Sequence, residues 1–111
     1  MAYKVVVAKV AGENFSNALT YISEVLCMPR AAERLLLAFE DAVDSLEEYP
    51  AFFPLHREAS KLIGREVRWR SAREYRLYFV IDEAERVVTV FSFLHRRQDV
   101  LTYLPLDYEK R

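Results

Sequence analysis

The sequence predicts an α+β domain in which a helical hairpin packs on one face of a small, mainly antiparallel, four-stranded sheet. Valine-rich and alternating apolar segments, typical of strands, lie at the start and in the second half of the chain. Between them, apolar residues recur at helical spacing over two consecutive stretches. The 111 residues are 52% hydrophobic and include only two glycines, so we expect a single domain over residues 1–111 with one compact core.

The N-terminal quarter predicts the first strand and the first helix. Tyr3–Val10 is rich in valine, and its continuous apolar character predicts a strand that is covered on both faces. Gly12–Asn14 interrupts this run, and Asn14 or Ser16 is suited to cap a helix that ends near Met28.

A second helix is predicted to complete the hairpin. Pro29 is suited to the first turn of a helix, where its missing amide donor is harmless, and an apolar stripe continues to Glu48. Tyr49–Pro54 contains two prolines and two phenylalanines, which favours an ordered loop packed by its own aromatic rings. Residues 55–63 stay unassigned, and His56 is expected to be a surface histidine without a partner.

Three further strands are predicted after Gly64, where helical spacing gives way to alternation. Glu66–Ser71 alternates apolar residues with arginines, and the odd and even positions of Tyr75–Asp82 form two distinct faces. A short polar turn follows, and Val87–Leu94 is apolar on both faces, which predicts a central strand.

A short helix over Asp99–Leu104, ended by Pro105, is predicted to close the chain. The resulting order is β, α, α, β, β, β. One face of the sheet would then pack on the helical hairpin, and the other would be available for function.

Charge is distributed unevenly, although the formal net charge of −1 argues against a wholly basic nucleic-acid-binding protein. Residues 1–63 carry six Lys or Arg against nine Asp or Glu, whereas residues 64–111 carry ten against eight. Much of this excess is a run of arginines that comprises Arg65, Arg68, Arg70, Arg73 and Arg76. The run is suited to a phosphate or an acidic partner, but on a generic domain a solvated strand surface is the favoured interpretation.

Other residue types restrict the classes of protein and site. The single cysteine, Cys27, lies among apolar residues and is expected to be buried, with no internal disulfide. His56 and His95 are far apart, so metal-ligand spacing is absent and no cofactor is expected. Neither a signal-peptide core nor a membrane-spanning run is present, which predicts a soluble cytoplasmic protein.

Four segments of the sequence carry a family resemblance. They are Leu46–Pro50, Gly64–Arg68, the strand Glu74–Asp82 with its tyrosine-arginine-apolar-tyrosine pattern, and Phe93–Asp99 with its His-Arg-Arg-x-Asp ending. In this order of elements, they resemble the RelE/ParE superfamily, the toxins of type II toxin–antitoxin systems. The resemblance implies a RelE-like fold and a small cognate antitoxin that neutralises the toxin.

The resemblance leaves two molecular targets open, because fold alone does not choose between them. RelE-like toxins cut messenger RNA on the ribosome, and ParE-like toxins poison DNA gyrase. Ribosome-dependent endoribonuclease activity is the first hypothesis, since His95 and its neighbouring arginines are suited to catalysis. A ParE-like gyrase inhibitor without nuclease activity is the alternative.

Metal-independent RNA cleavage needs an acid or base and positive charge around the phosphate. For such a site the candidate catalytic residues are Arg68, Arg70, Arg76, His95 and Arg96. The candidate substrate-binding residues are Arg73, Tyr78, Arg97 and Tyr103. Arg68 and Arg70 share a strand face, but whether Arg76 joins them depends on the register of the strands. An acidic antitoxin segment would be expected to cover Arg68, Arg70 and Arg76.

Overall fold

The structure, a computed structural model, describes residues 2–111 and has the predicted α+β architecture. Its strands are β1 (Lys4–Val7), β2 (Arg68–Ala72), β3 (Tyr75–Asp82) and β4 (Val87–His95). Its α-helices are α1 (Lys9–Thr20), α2 (Pro29–Glu48), α3 (Arg57–Ile63) and α4 (Val100–Lys110). A π-helical turn (Tyr21–Val25) extends α1, and a 3₁₀ turn (Pro50–Phe52) follows α2. None of the helices in this range has the length and apolar character needed to span a bilayer.

The sheet has the strand order β1-β4-β3-β2. The strand β1 is parallel to β4, and the other two pairs are antiparallel, so the predicted central position of β4 is confirmed. The prediction that the first strand is covered on both faces is wrong, because β1 lies at an edge with Val6 and Val7 exposed. An apolar run alone does not distinguish an edge strand from an internal one.

The helix α1 begins earlier than predicted. Ala8 N–H donates to Val90 O, and Gly12 N–H donates to Ala8 O, so the chain passes directly from the sheet into the helix. The predicted break at Gly12–Asn14 and the predicted cap at Asn14 or Ser16 are therefore wrong. One glycine inside a helix costs only about 1 kcal/mol, which the packing of the helix on β4 can offset.

The hairpin between α1 and α2 packs on one face of the sheet, and the predicted bounds of α2 are confirmed. Its core includes Leu77, Phe79 and Phe93 from the sheet. The rings of Phe15 and Phe39, one from each helix, stack with centroids 4.0 Å apart. Cys27 lies in the connection between the helices with φ 54° and is exposed, so its predicted burial is wrong.

The second face of the sheet is covered by α3 and α4, which corrects the expectation that this face would be open. Leu104 of α4 and Ala59 of α3 are buried against Tyr78, Val80 and Phe91. The helix α4 also continues through Pro105 to Lys110, so the predicted stop at this proline is wrong. The burial of residues on both sides of Pro105 holds the helix on the sheet despite the hydrogen bond that proline removes.

Residues 55–63, which the sequence left unassigned, contain the short helix α3. His56 precedes it, and its Nδ1 accepts a hydrogen bond of 3.1 Å from Ala59 N–H. The histidine therefore caps the helix, and the prediction of a surface histidine without a partner is wrong. Gly64 ends the helix in the left-handed region at φ 86°, where a side chain would be strained.

A β-bulge in β4 changes which residues share a face. Phe79 pairs with Val90, but Tyr78 pairs with Ser92, so Phe91 has no partner in β3. The extra residue shifts the alternation of the strand by one. Consequently Phe93 and His95 lie on the face that packs on α1 and α2, together with Val90.

Candidate functional site

The register of β2 and β3 separates the arginines of the candidate catalytic group. Arg68 pairs with Phe79 and Arg70 pairs with Leu77, both of which face α1 and α2. Arg76 pairs with Ser71 and therefore points to the opposite face of the sheet. The three guanidinium groups do not converge on a common phosphate position.

Arg68 and Arg70 are also engaged by polar groups of their own chain. Arg68 Nη1 donates to Phe53 O over 2.6 Å, and Arg70 Nη2 lies 2.9 Å from Asp41 Oδ2 of α2. Arg70 Nε donates to Ser45 Oγ over 3.3 Å. Both side chains are half-buried. These contacts attach β2 to α2 and to the loop before α3, which is a structural use of the charge.

Arg76 and Tyr78 lie on the other face. The Arg76 guanidinium carbon is 3.9 Å from the centroid of the Trp69 ring, a cation–π contact. The Tyr78 side chain is only 1% exposed. Burial raises the pKa of the Tyr78 hydroxyl, and the neighbouring Arg76 partly opposes this shift. A ring buried in this way is not accessible to stack on a nucleobase, so the burial of Tyr78 is incompatible with the proposed substrate contact.

His95 lies at the end of β4, opposite Tyr75. The two rings make an edge-to-face contact with centroids 5.1 Å apart. His95 Nδ1 accepts a hydrogen bond of 3.1 Å from Arg97 N–H, and His95 N–H donates to Gln98 Oε1 over 2.8 Å. Because Nδ1 is an acceptor, the neutral ring carries its proton on Nε2. In this state the ring offers a hydrogen-bond donor, whereas a general base needs a free nitrogen.

His95 belongs to a cleft of about 620 Å³ between α1, α4 and the end of β4. The cleft also contains Tyr103, which was predicted to bind substrate and is 42% exposed. Sequence reasoning did not identify the other polar residues that line it, which include Asn14, Asn17, Tyr21, Tyr75 and Gln98. Burial, with a smaller contribution from Tyr21, raises the pKa of the Tyr75 hydroxyl.

The remaining candidate arginines lie at the same end of the sheet as His95. Arg96 Nε lies 2.7 Å from Glu74 Oε2, in an exposed ion pair that joins the turn before β3 to the turn after β4. Arg97 is exposed in the turn before α4. Arg73 is exposed in the β2–β3 turn with φ 58°. These three side chains make the end of the sheet positively charged, opposed by Glu74.

A second candidate site, which we call the aromatic edge, is formed by Tyr49, Phe52, Phe53 and Trp69 beside the outer edge of β2. These side chains line a shallow groove of about 370 Å³ together with Arg70 and Ser71. The sequence predicted a loop packed by its own aromatic rings, and Tyr49 and Phe52 do contact Phe53, at centroid distances of 5.9 and 5.6 Å. Phe52 is nevertheless 78% exposed and Tyr49 is 53% exposed.

Comparison with known proteins identifies the class of protein that has this fold. Residues 5–100 match the family model described as the ParE toxin of type II toxin–antitoxin systems, parDE. None of the curated proteins matches the chain significantly. The match covers most of the chain, so the protein belongs to the ParE toxin family of the RelE/ParE superfamily. It is the toxin of a type II toxin–antitoxin system, and its family implies a cognate antitoxin.

Proposed function

We propose that this toxin inhibits DNA gyrase by binding it and does not cleave messenger RNA. The observation that carries the proposal is the separation of Arg68 and Arg70 from Arg76 on opposite faces of the sheet. Stabilisation of a scissile phosphate requires positive groups that converge on one position. An inhibitor that acts by binding requires no such convergence.

The state of His95 gives the proposal a second support. Its Nδ1 is occupied by Arg97 N–H, and its ring packs against Tyr75. Both contacts fix the end of β4 and the turn before α4. Residues 5–100 match the ParE toxin family, and gyrase is the target that the resemblance to ParE-like toxins implies.

Ribosome-dependent endoribonuclease activity remains the competing hypothesis. It is supported by the cleft, which His95 and Tyr103 line, and by the exposed Arg97, whose backbone N–H contacts His95. On this hypothesis His95 would act as acid or base after its hydrogen bond from Arg97 N–H is broken. The two hypotheses differ in what they require of His95.

The test is a supercoiling assay with purified gyrase, ATP and relaxed plasmid, with wild-type toxin and the His95→Ala variant. We expect both proteins to block supercoiling with similar potency, within about threefold, because binding requires no proton transfer at His95. Mapping of transcript ends after controlled expression should show intact messenger RNA.

The proposal would be overturned if two results were obtained together. They are normal supercoiling in the presence of toxin and cuts within codons that disappear in the His95→Ala variant. Circular dichroism and the thermal midpoint of the variant must match those of the wild type, so that loss of activity is not confused with loss of fold.

A further inference from the structure

The cleft beside His95 opens to the surface between exposed apolar and aromatic side chains. Tyr21 of the π-helical turn is 51% exposed, and Tyr103 and Leu106 of α4 are 42% and 52% exposed. All three side chains line the cleft, and we call them the tyrosine rim. Large apolar side chains grouped around a concavity are typical of a surface that another molecule covers.

The cleft exists because β1 is shorter than β4. The last residue of β1, Val7, pairs with Val90, whereas β4 continues to His95. The helices α1 and α4 pack on opposite faces of the sheet and flank this last part of β4. Each helix presents a stripe at helical spacing to the cleft, formed by Asn14, Asn17 and Tyr21 on α1 and its π-helical turn, and by Tyr103, Leu106 and Lys110 on α4.

The floor of the cleft is a fixed aromatic stack. The ring of Tyr75 lies parallel to that of Phe93, with centroids 4.9 Å apart, and His95 contacts Tyr75 edge-on. Phe93 is buried and also contacts Phe15 of α1. A preformed floor reduces the conformational entropy that is lost on binding. The half-buried His95 belongs to this floor and not to the rim, so its replacement by alanine leaves the rim in place.

The π-helical turn places Tyr21 at the rim. Leu26 N–H donates to Tyr21 O over 2.9 Å, five residues back along the chain, which is the π-helical pattern. Such turns are rare and are concentrated at functional sites. The exposed apolar surface continues along the chain from Tyr21 to the tip of the hairpin, where Val25 is 65% exposed and Met28 is 50% exposed.

The charges that line the cleft favour a protein over a nucleic acid as its ligand. The carboxylates of Glu13 and Asp107 outnumber the ammonium of Lys110. The other polar groups in the lining include the uncharged carboxamides of Asn14, Asn17 and Gln98. Binding of nucleic acid depends on several cations that neutralise phosphates. Protein interfaces, in contrast, are enriched in tyrosine and depleted of charge at their centres.

We propose that the tyrosine rim binds the target protein through an uncharged segment, one apolar side chain of which enters the cleft between Tyr21 and Tyr103. The inference rests on the proposed function, in which the target is gyrase, and it names the surface of the toxin that gyrase contacts. The two rings supply contact area, and the carboxamide of Asn17 binds main-chain groups of the segment. The rim lies beside β4, whereas Arg68 and Arg70 lie on β2 at the other side of the sheet.

The test measures the dissociation constant of the complex with purified gyrase and the toxin concentration that halves supercoiling. Tyr21→Ala and Leu106→Ala each remove one side chain of the rim. The matched controls Phe52→Ala and Leu62→Ala remove exposed side chains from the aromatic edge and from α3. We expect each rim variant to raise both quantities by at least about tenfold, and each control by less than about threefold. All four variants must keep the thermal midpoint of the wild type.

Inhibition by the wild type together with unchanged values for both rim variants would overturn the inference and leave gyrase as the target. A wild-type toxin that neither binds nor inhibits gyrase would overturn the proposed function, and the inference with it.

Three further measurements on the same variants address other ligands of the rim. They are self-association by sedimentation, binding of single-stranded RNA, and binding of the antitoxin encoded in the adjacent reading frame. We expect the rim variants to match the wild type in all three. Loss of any of these activities in the rim variants, with gyrase binding retained, would show that the rim serves a different partner and would overturn the inference.

Discussion

At the scale of single residues, Arg76 shows how one cation serves a structural role between aromatic side chains. Its guanidinium stacks on Trp69 at 3.9 Å, and it also lies beside the hydroxyl of Tyr78. The half-buried position of Arg76 on this face makes the charge costly to leave without a partner. The Trp69 ring and the Tyr78 hydroxyl both interact with the guanidinium and together serve as its partners.

The burial of Tyr78 predicts a loss of stability in alkali. Its pKa is raised above the ordinary 10.0, chiefly by burial, so the unfolded chain releases this proton at lower pH than the folded chain does. The free energy of unfolding should therefore be constant for this group below about pH 10 and fall above it, by at most about 1.4 kcal/mol per pH unit. Urea unfolding of wild type and Tyr78→Phe between about pH 9 and 11 measures the difference in slope.

The Tyr78→Phe variant should show the shallower slope. The variant Tyr103→Phe, which alters an exposed tyrosine, is the control and should follow the wild type. Equal slopes in wild type and Tyr78→Phe would contradict the assignment of the alkaline loss to this residue.

At the scale of elements, the two glycines have opposite roles. Gly64 ends α3 at φ 86°, a conformation in which a Cβ atom is strained. Gly12 lies inside α1, and a Cβ atom there would meet only Val7 Cγ1, at an ordinary 3.9 Å. The same substitution should therefore change stability in opposite directions.

We expect Gly64→Ala to destabilise the protein by about 1–2 kcal/mol because it forces alanine into the left-handed region. Gly12→Ala should stabilise it by about 0.5–1 kcal/mol, since alanine restricts the unfolded chain and favours the helix. Chemical denaturation of both variants measures the two free energies of unfolding. Changes of the same sign would be inconsistent with the conformations of these residues.

Element types were predictable where periodicity is long and regular. The predicted bounds of α2 and β3 agree with the structure, because each shows a sustained spacing over many residues. The bulge at Phe91 was not predictable, because one unpaired residue leaves the composition of the strand unchanged while reversing its later alternation. The face of the sheet on which His95 lies depends on the unpaired Phe91.

At the scale of the whole molecule, the sheet is the middle layer of three. The helices α1 and α2 cover one face, and α3 and α4 cover the other, with separate apolar cores on the two sides. The second core draws the C-terminal helix onto β4, where Ser92 Oγ donates to Asp107 Oδ2 over 2.6 Å. The C-terminal part of the chain therefore contributes to stability.

Two leucines of α4 test the importance of the second core. Leu104 is fully buried, whereas Leu106 is 52% exposed. Leu104→Ala should lower the free energy of unfolding by about 2–5 kcal/mol through lost burial and the cavity that remains. Leu106→Ala should change it by no more than about 0.5 kcal/mol. Similar losses in urea unfolding of the two variants would show that α4 does not pack as described.

Much of the candidate site could not be predicted from the sequence, because it depends on how distant segments of the chain pair and pack. The arginines of β2 were identified from their spacing, but their relation to Arg76 depends on the pairing of two strands. The aromatic edge combines the end of α2, the 3₁₀ turn and β2, which are separated along the chain. The composition of Tyr49–Pro54 signalled an aromatic loop, but not which of its rings would be exposed.

The parallel pairing of β1 with β4 has a consequence for synthesis of the toxin. Lys4 pairs with Val87, so the first strand can pair only after more than eighty further residues have been synthesised. A nascent chain that stops before β4 has no neighbour for β1, and closing so long a loop slows folding. The toxin thus acquires its complete sheet only after β4 has been synthesised.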